Sequence, residues 1–355
     1  MKRSLLVTAV MVGFIILSAS APALPATNAP KELLKGKNLV FVLFSFDGYQ
    51  QGQGSWFKRL AEAEGAKVTL IDGKADPEIQ LKAMEDAIAT KPDGIVWHIV
   101  RGPAAVNALL AAQAARIPVV VTGSRPDPQT GVTVPFVQLF DYEIAHEGGV
   151  AAAQWLKQNK PGEKAKVVYF DRTGVVHCAN YRGDGFIAGI TSVMGAGNVQ
   201  IVFRDNVTAS QDEAMRRMED LLQRSPDFNI FSGCGATHAL GGLAALKAVG
   251  RGKAVNGVPL TEFVVSIDGT PDELTRLLDP TSALKATVGL LPKENATKHL
   301  ETLKRILSGE LKLNDNITVL APGHLLPVRC DKINEYITGQ YSMVKGYAPL
   351  DCSKY

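Results

Sequence analysis

From Lys37 onward the chain alternates short, wholly apolar runs with segments long enough for three helical turns, and that alternation leaves few folds open to it. Leu39-Val40-Phe41-Val42-Leu43-Phe44 is one such run, the pattern of a strand buried on both faces. The sequence predicts strands at 37–46, 68–71, 94–99, 117–122 and 136–140, with helices at 55–65, 77–90 and 103–115. A polar Gly/Gln-rich loop is expected at 47–54. The pattern then restarts: helices at 142–159, 183–194, 211–224, 239–249 and 271–278 alternate with strands at 166–170, 199–203, 229–231, 263–267 and 286–290. Such alternation builds parallel βαβ units with right-handed crossovers. The expected fold class is α/β, with two doubly wound parallel-sheet lobes. Helix starts agree with this register. Thr270-Pro271-Asp272-Glu273 is a capping box with proline at the first helical position, and Asp76-Pro77 repeats the cap-then-proline order.

Size and the amino end support the same organisation. Lys2 and Arg3 precede an apolar run from Leu5 to Leu17 and a small-residue stretch from Ala19 to Ala26, the order of a secretory signal. The apolar run is shorter than the ~20 residues that a spanning helix needs. We expect residues 1–26 to be a signal peptide, cut near Ala21, Ala23 or Ala26. The remaining chain, roughly 330 residues, exceeds the size at which one core stops growing. The formal charge is +3, of which Lys2 and Arg3 supply two. No basic block of the kind that tracks phosphates stands out, so nucleic acid is not an expected partner.

In doubly wound sheets ligands bind beyond the carboxyl ends of the strands, so the loops at those ends hold the candidate residues. The first offers Asp47, Tyr49 and Gln50, hydrogen-bonding groups beside an aromatic face. The third strand ends at His98 and the fourth loop holds Arg125, whose planar fork suits adjacent hydroxyls or a carboxylate. Asp141 stands where the chain would pass between lobes, as ligand group, hinge or helix cap. A long loop, 171–182, carries His177, Asn180 and Arg182. Arg182 either faces the cleft or pairs with Asp184. Asp268 ends a strand ahead of a well-capped helix.

Four cysteines in an exported chain favour disulfides, with three pairings possible. We expect Cys330 with Cys352, since a long tail gains most from being tied down. Cys178 with Cys234 then joins two loops of one lobe. Oxidised thiols are poor nucleophiles. Gly233-Cys234-Gly235 lacks the third glycine of a dinucleotide loop, where His238 stands. No metal-ligand spacing is evident. Neither an enzyme, a cofactor nor a metal is expected.

At these loops the chain resembles the type I periplasmic binding proteins, especially the ribose and galactose/glucose branch. The resemblance rests on Val264-Val265-Ser266-Ile267-Asp268-Gly269-Thr270-Pro271-Asp272, Ala286-Thr287-Val288 before Leu291-Pro292, Arg182-Gly183-Asp184-Gly185-Phe186, and Ile117-Pro118-Val119-Val120 leading to Arg125. It implies two lobes joined by three hinge crossings: 36–141 with 291–324, and 142–290 with 325–355. It also implies a ligand clamped between them, with Asp47, Tyr49, Gln50, His98, Arg125 and Asp268 at family binding positions. By this resemblance the chain is a monomeric periplasmic receptor that delivers a small sugar or polyol to an ABC permease in the inner membrane. A sensory co-receptor for a histidine kinase or chemoreceptor is the alternative. Several positions depart from the ribose branch: Asn180 stands for an arginine, Ala209 for an aromatic residue, Cys234 or Gly235 for an asparagine and Leu290 for a glutamine. Ribose itself is therefore not the expected ligand.

Overall fold

The computed structural model describes residues 32–46, 48–172, 175, 177–208, 210–224 and 227–355. The proposed leader, Asp47 and Ala209 lie outside these. Two six-stranded sheets organise the chain.

The first is built from β1 (Asn38–Leu43), β2 (Lys67–Asp72), β3 (Gly94–Ile99), β4 (Val119–Gly123) and β5 (Phe136–Leu139), alternating with α1 (Gly48–Ala63), α2 (Pro77–Ala89) and α3 (Gly102–Ala114). The chain then enters α4 (Asp141–Asn159) and a second set: β6 (Ala165–Asp171), α5 (Asp184–Met194), β7 (Val199–Asn206), α6 (Gln211–Gln223), β8 (Ile230–Gly233) and α7 (Ala236–Ala248). A small hairpin, β9 (Ala254–Val255) and β10 (Val258–Pro259), precedes β11 (Phe263–Asp268), α8 (Pro271–Leu278) and β12 (Leu284–Leu290). From there α9 (Pro292–Leu307) and β13 (Thr318–Ala321) return to the first sheet. Finally β14 (Gly323–Leu325) joins the second, and α10 (Cys330–Tyr341) opens the tail.

The sheet orders are β13-β5-β4-β3-β1-β2 and β14-β12-β11-β8-β6-β7. Every pairing is parallel except β14 on β12. The backbone therefore crosses between sheets three times: after β5, after β12, and between β13 and β14.

Strand alternation sets the layers. In β1, Leu39, Phe41 and Leu43 pack with Phe57 of α1 and Leu300 and Leu303 of α9, while Val40 and Val42 pack with Met84 of α2 and Leu109 of α3. In β6, Val168 and Phe170 face Met218 of α6 and Leu243 of α7, and Val167 and Tyr169 face Leu156 of α4 and Phe186 of α5. Both sheets are covered on both faces, as parallel sheets require. No helix among the described residues is long and apolar enough to cross a membrane.

The first helix corrects the sequence reading. Residues 48–54 are not a polar loop but the first two turns of α1. Local propensity disfavours glycine in a helix, yet tertiary contact demands it here. A Cβ at Gly52 would lie 3.2 Å from Pro292 Cβ, and one at Gly54 would lie 2.9 Å from Leu43 Cδ1. Gln53 is spent inside the lobe, donating through Nε2 to Asn295 Oδ1 at 2.6 Å.

The expected cysteine pairs are the ones the structure brings together, with Cα separations of 5.6 Å for Cys330–Cys352 and 5.0 Å for Cys178–Cys234. The first closes a span of 22 residues. Replacing both tail cysteines by serine is expected to cost about 3 kcal/mol of stability from lost loop constraint, measured by urea unfolding with and without reductant. Equal midpoints for variant and oxidised wild type would refute it.

At α8 the capping box is complete, and Glu273 is fully buried. Its Oε2 accepts from Thr270 N at 2.6 Å and its Oε1 from Thr287 Oγ1 at 2.7 Å. Burial, helped by nearby Asp268, pushes this carboxyl up from 4.5 to about 7. The folded chain thus keeps a proton that the unfolded chain gives up above pH 4.5. Stability from this group is complete below that value and declines as pH rises through 7, by on the order of 2–3 kcal/mol. Glu273→Gln should flatten the decline; chemical denaturation at pH 5, 6, 7 and 8 tests it, and parallel curves for variant and wild type would refute it.

Candidate functional site

The carboxyl ends of strands from the two sheets face each other around a cavity of about 250 Å³. Each sheet contributes its loops, because a right-handed βαβ path delivers every strand tip of a parallel sheet to the same edge.

The charged centre belongs to Arg182, at the end of a π-helical turn spanning His177–Gly183. Its side chain is buried. Nε donates to Asp141 Oδ1 at 2.7 Å, and Nη1 donates to the Cys234 carbonyl at 2.6 Å and to Asp268 Oδ1 at 3.3 Å. Burial alone would disfavour the charge on Arg182, but Asp141 and Asp268 hold its proton more firmly than usual. Burial raises Asp141, and Arg182 opposes the rise. A guanidinium cannot give up its proton here, so at 2.7 Å the pair stays ionised.

Asp268 is also held through Oδ2, which accepts from Ala236 N at 3.0 Å. Its φ is +125°, a costly conformation for a residue with a side chain. Gly269 follows, also at positive φ, where a Cβ would lie 2.7 Å from Gly289 Cα.

Opposite this cluster stand groups of the first sheet. Gln50 Nε2 lies 3.1 Å from His98 Nδ1, and the His98 ring is 6.3 Å from that of His177. His98 Nε2 and His177 Nδ1 are buried without a hydrogen-bond partner among the described residues. Burial, then the positive charge of nearby groups including Arg182, lowers His98 to about 3 and His177 well below its ordinary value. Both rings are neutral. Tyr49 also lines the cavity while packing with Ile144 and Leu290.

Of the residues singled out from sequence, Tyr49, Gln50, His98, Asp141, His177, Arg182 and Asp268 are brought together here. Arg125 and Asn180 are not. Arg125 lies over the Phe136 ring at 4.6 Å and donates to Asn316 Oδ1 at 3.2 Å and to Thr318 Oγ1; its fork is engaged by the edge of β13, which no local pattern foretells. Asn180, in the π-helical turn, is exposed and does not line the cavity. The choice left open for Arg182 resolves toward the cleft, because Arg204 takes Asp184 at 2.7 Å and Asp171 at 2.7 Å.

Sequence reasoning missed Arg172, Gln138 and His238, which also line the cavity. The first two sit at the ends of β6 and β5, so the strand-tip rule would have found them. His238 lies in the first turn of α7, and burial lowers it to about 4.

The periplasmic binding protein domain family matches residues 39–311. The chain is 25% identical over 300 residues to the ribose import binding protein of Escherichia coli K12, covering 82% of this chain and 91% of that one. It is 28% identical over 250 residues to the D-apiose import binding protein of Paraburkholderia graminis, covering 68% of this chain and 74% of that one. Among solved structures it superposes on an ABC transporter solute binding protein from Bacillus halodurans with bound myo-inositol, with a TM-score of 0.69 and 19% identity, over 85% of this chain and 97% of that one. The family match covers β1 to β12, including the strand tips that line the cavity: the chain belongs to the periplasmic binding protein family.

Proposed function

We propose that the chain is an exported periplasmic receptor that carries a small uncharged sugar or polyol to an ABC permease, acting as a monomer and catalysing nothing. The observation behind this reading is the cavity itself: it is small, lies between the two sheets, and takes polar groups from both. The lobes are assigned as 36–141 with 291–324 and 142–290 with 325–355. Relatives named for ribose and D-apiose import, and a structural neighbour holding myo-inositol, support a polyhydroxylated ligand.

Binding then works by bridging. His98 and Gln50 meet the ligand from one lobe, and Arg182, Asp268 and His177 from the other, so the closed form gains its hydrogen bonds only when a ligand spans the gap. In a nearly dry cleft each polar partner left unmatched costs free energy, which favours a ligand dense in hydroxyls.

Calorimetry against pentoses, hexoses in furanose and pyranose forms, and linear and cyclic polyols is expected to find one with a Kd of about 1 µM or tighter, equivalent to about 8 kcal/mol. Asp268→Asn keeps the side chain's size and shape and should weaken that Kd by about 10- to 100-fold. Lys82→Ala, an exposed residue of α2 paired with Asp86, should leave it within about twofold. Burial already disfavours the charged form of both imidazoles, so they should add little to any change in Kd between pH 5.5 and 8, and a drift near pH 7 would report Glu273 beside Asp268. No heat with any member of the panel, and no small molecule released on denaturation, would overturn the reading.

A further inference from the structure

The two disulfides differ in surroundings. Cys330–Cys352 ties the tail beside Asn334, whereas Cys178–Cys234 forms part of the cavity wall. Beside the second stands His177, partly exposed overall but with Nδ1 buried and without a hydrogen-bond partner among the described residues. Leaving that nitrogen unsatisfied costs about 1–3 kcal/mol, so it is available to whatever the cavity or the adjacent sulfurs bring to it. The two Sγ atoms and a ring nitrogen of His177 all lie within 4.8 Å of one another.

We propose that, once this bridge is reduced, His177, Cys178 and Cys234 form a site for a thiophilic d¹⁰ cation, Zn²⁺ or Cu⁺. The assignment does not rest on the transport reading. Reduction is balanced by a dithiol: it passes two electrons and two protons to the S–S bond, giving two thiols, and closes to its own cyclic disulfide. Metal binding then releases both thiol protons to solvent.

Donor type and spacing fit such an ion. Two thiolates and one imidazole are three of the four ligands of a tetrahedral zinc site, with bonds of about 2.3 Å to sulfur and about 2.0 Å to nitrogen. Those lengths place donors roughly 3.5 Å apart, so only a short movement from the present cluster is needed. All three side chains line the cavity, which leaves the fourth position open toward solvent, as in zinc sites that admit an exogenous ligand. The nearby charge of Arg182 is matched by Asp141 and Asp268, and the positive charge of Arg172 nearby is offset by the two thiolates that form on binding. Sequence spacing gave no hint of the cluster because its cysteines are 56 residues apart.

The test uses the full mature chain, reduced with a dithiol, freed of it anaerobically and titrated with Co²⁺, then Zn²⁺. One equivalent of Co²⁺ should produce a thiolate-to-metal charge-transfer band that Zn²⁺ abolishes. The double variant Cys178→Ser with Cys234→Ser should lose the band and bind Zn²⁺ at least 100-fold more weakly, while Cys330→Ser with Cys352→Ser keeps both. His177→Ala should weaken Zn²⁺ binding by about 10- to 100-fold. No band in the reduced wild type, or an undiminished band without Cys178 and Cys234, overturns the proposal. If the serine pair fails to fold by circular dichroism, His177→Ala decides: affinity within twofold of wild type overturns it equally.

Discussion

The cleft depends on a buried guanidinium. Taking Arg182 out of water costs several kcal/mol that only close, well-oriented anions return, and the fold meets that demand with Asp141, Asp268 and the Cys234 carbonyl. These partners come from the first interlobe crossing, the tip of β11 and the loop before α7. One side chain therefore fixes the relative position of three segments remote in sequence. Removing it would leave two carboxylates facing each other, so the group is as much a structural keystone of the second lobe as a candidate ligand contact. The same network accounts for the conformation of Asp268. Its positive φ is strained, and it is held by Ala236 N, which donates to the side chain at 3.0 Å, while its carbonyl faces the Tyr336 and Tyr341 hydroxyls at 3.3 and 3.4 Å, the Tyr336 proton going to the Leu290 carbonyl at 2.6 Å. A strained strand tip that is anchored this firmly presents its carboxylate in one orientation, which is the condition for reading the geometry of a hydroxyl.

How much of this was legible depends on the range of the interaction behind each feature. Apolar runs and helix caps act within a few residues, so the α/β alternation, the Asp76 cap and the Thr270–Glu273 box stood in the sequence. The strand-tip rule converts that register into a set of loops, and it located Arg182, Asp268 and His98. It failed where a long-range contact decided the outcome. Gly52 and Gly54 read as a loop until Pro292 and Leu43 are seen against them. Arg125 read as a ligand arginine, but Phe136, Asn316 and Thr318 are what it touches. Arg204, which releases Arg182 for the cleft by taking Asp184, had no local signature at all.

The cavity's electrostatics narrow what it is built to hold. Arg182 shares its charge with two carboxylates, and the two imidazoles that face the space are neutral because burial penalises their charged forms. A carboxylate or phosphate ligand would thus meet a guanidinium already engaged by anions, whereas an uncharged polyol meets ring nitrogens of His98 and His177 that have hydrogen-bonding capacity to offer. Around Arg182 the charges are balanced, while Arg172, lying over the Phe44 ring at 5.2 Å, adds a second guanidinium to the lining.

The tail limits how such a site can open. Its helix sends Ile333, Tyr336 and Ile337 into the core of the second lobe, while the Gln340 carbonyl accepts from Trp56 Nε1 of α1 at 2.7 Å and its Oε1 from Lys293 N of α9 at 3.1 Å. The tail is thus bonded to both lobes, and Cys330–Cys352 prevents its far end from peeling away. Three short crossings alone would allow the lobes to twist as well as part. Backed by a helix fixed to each side, they hold the His98 face opposite the Arg182 face.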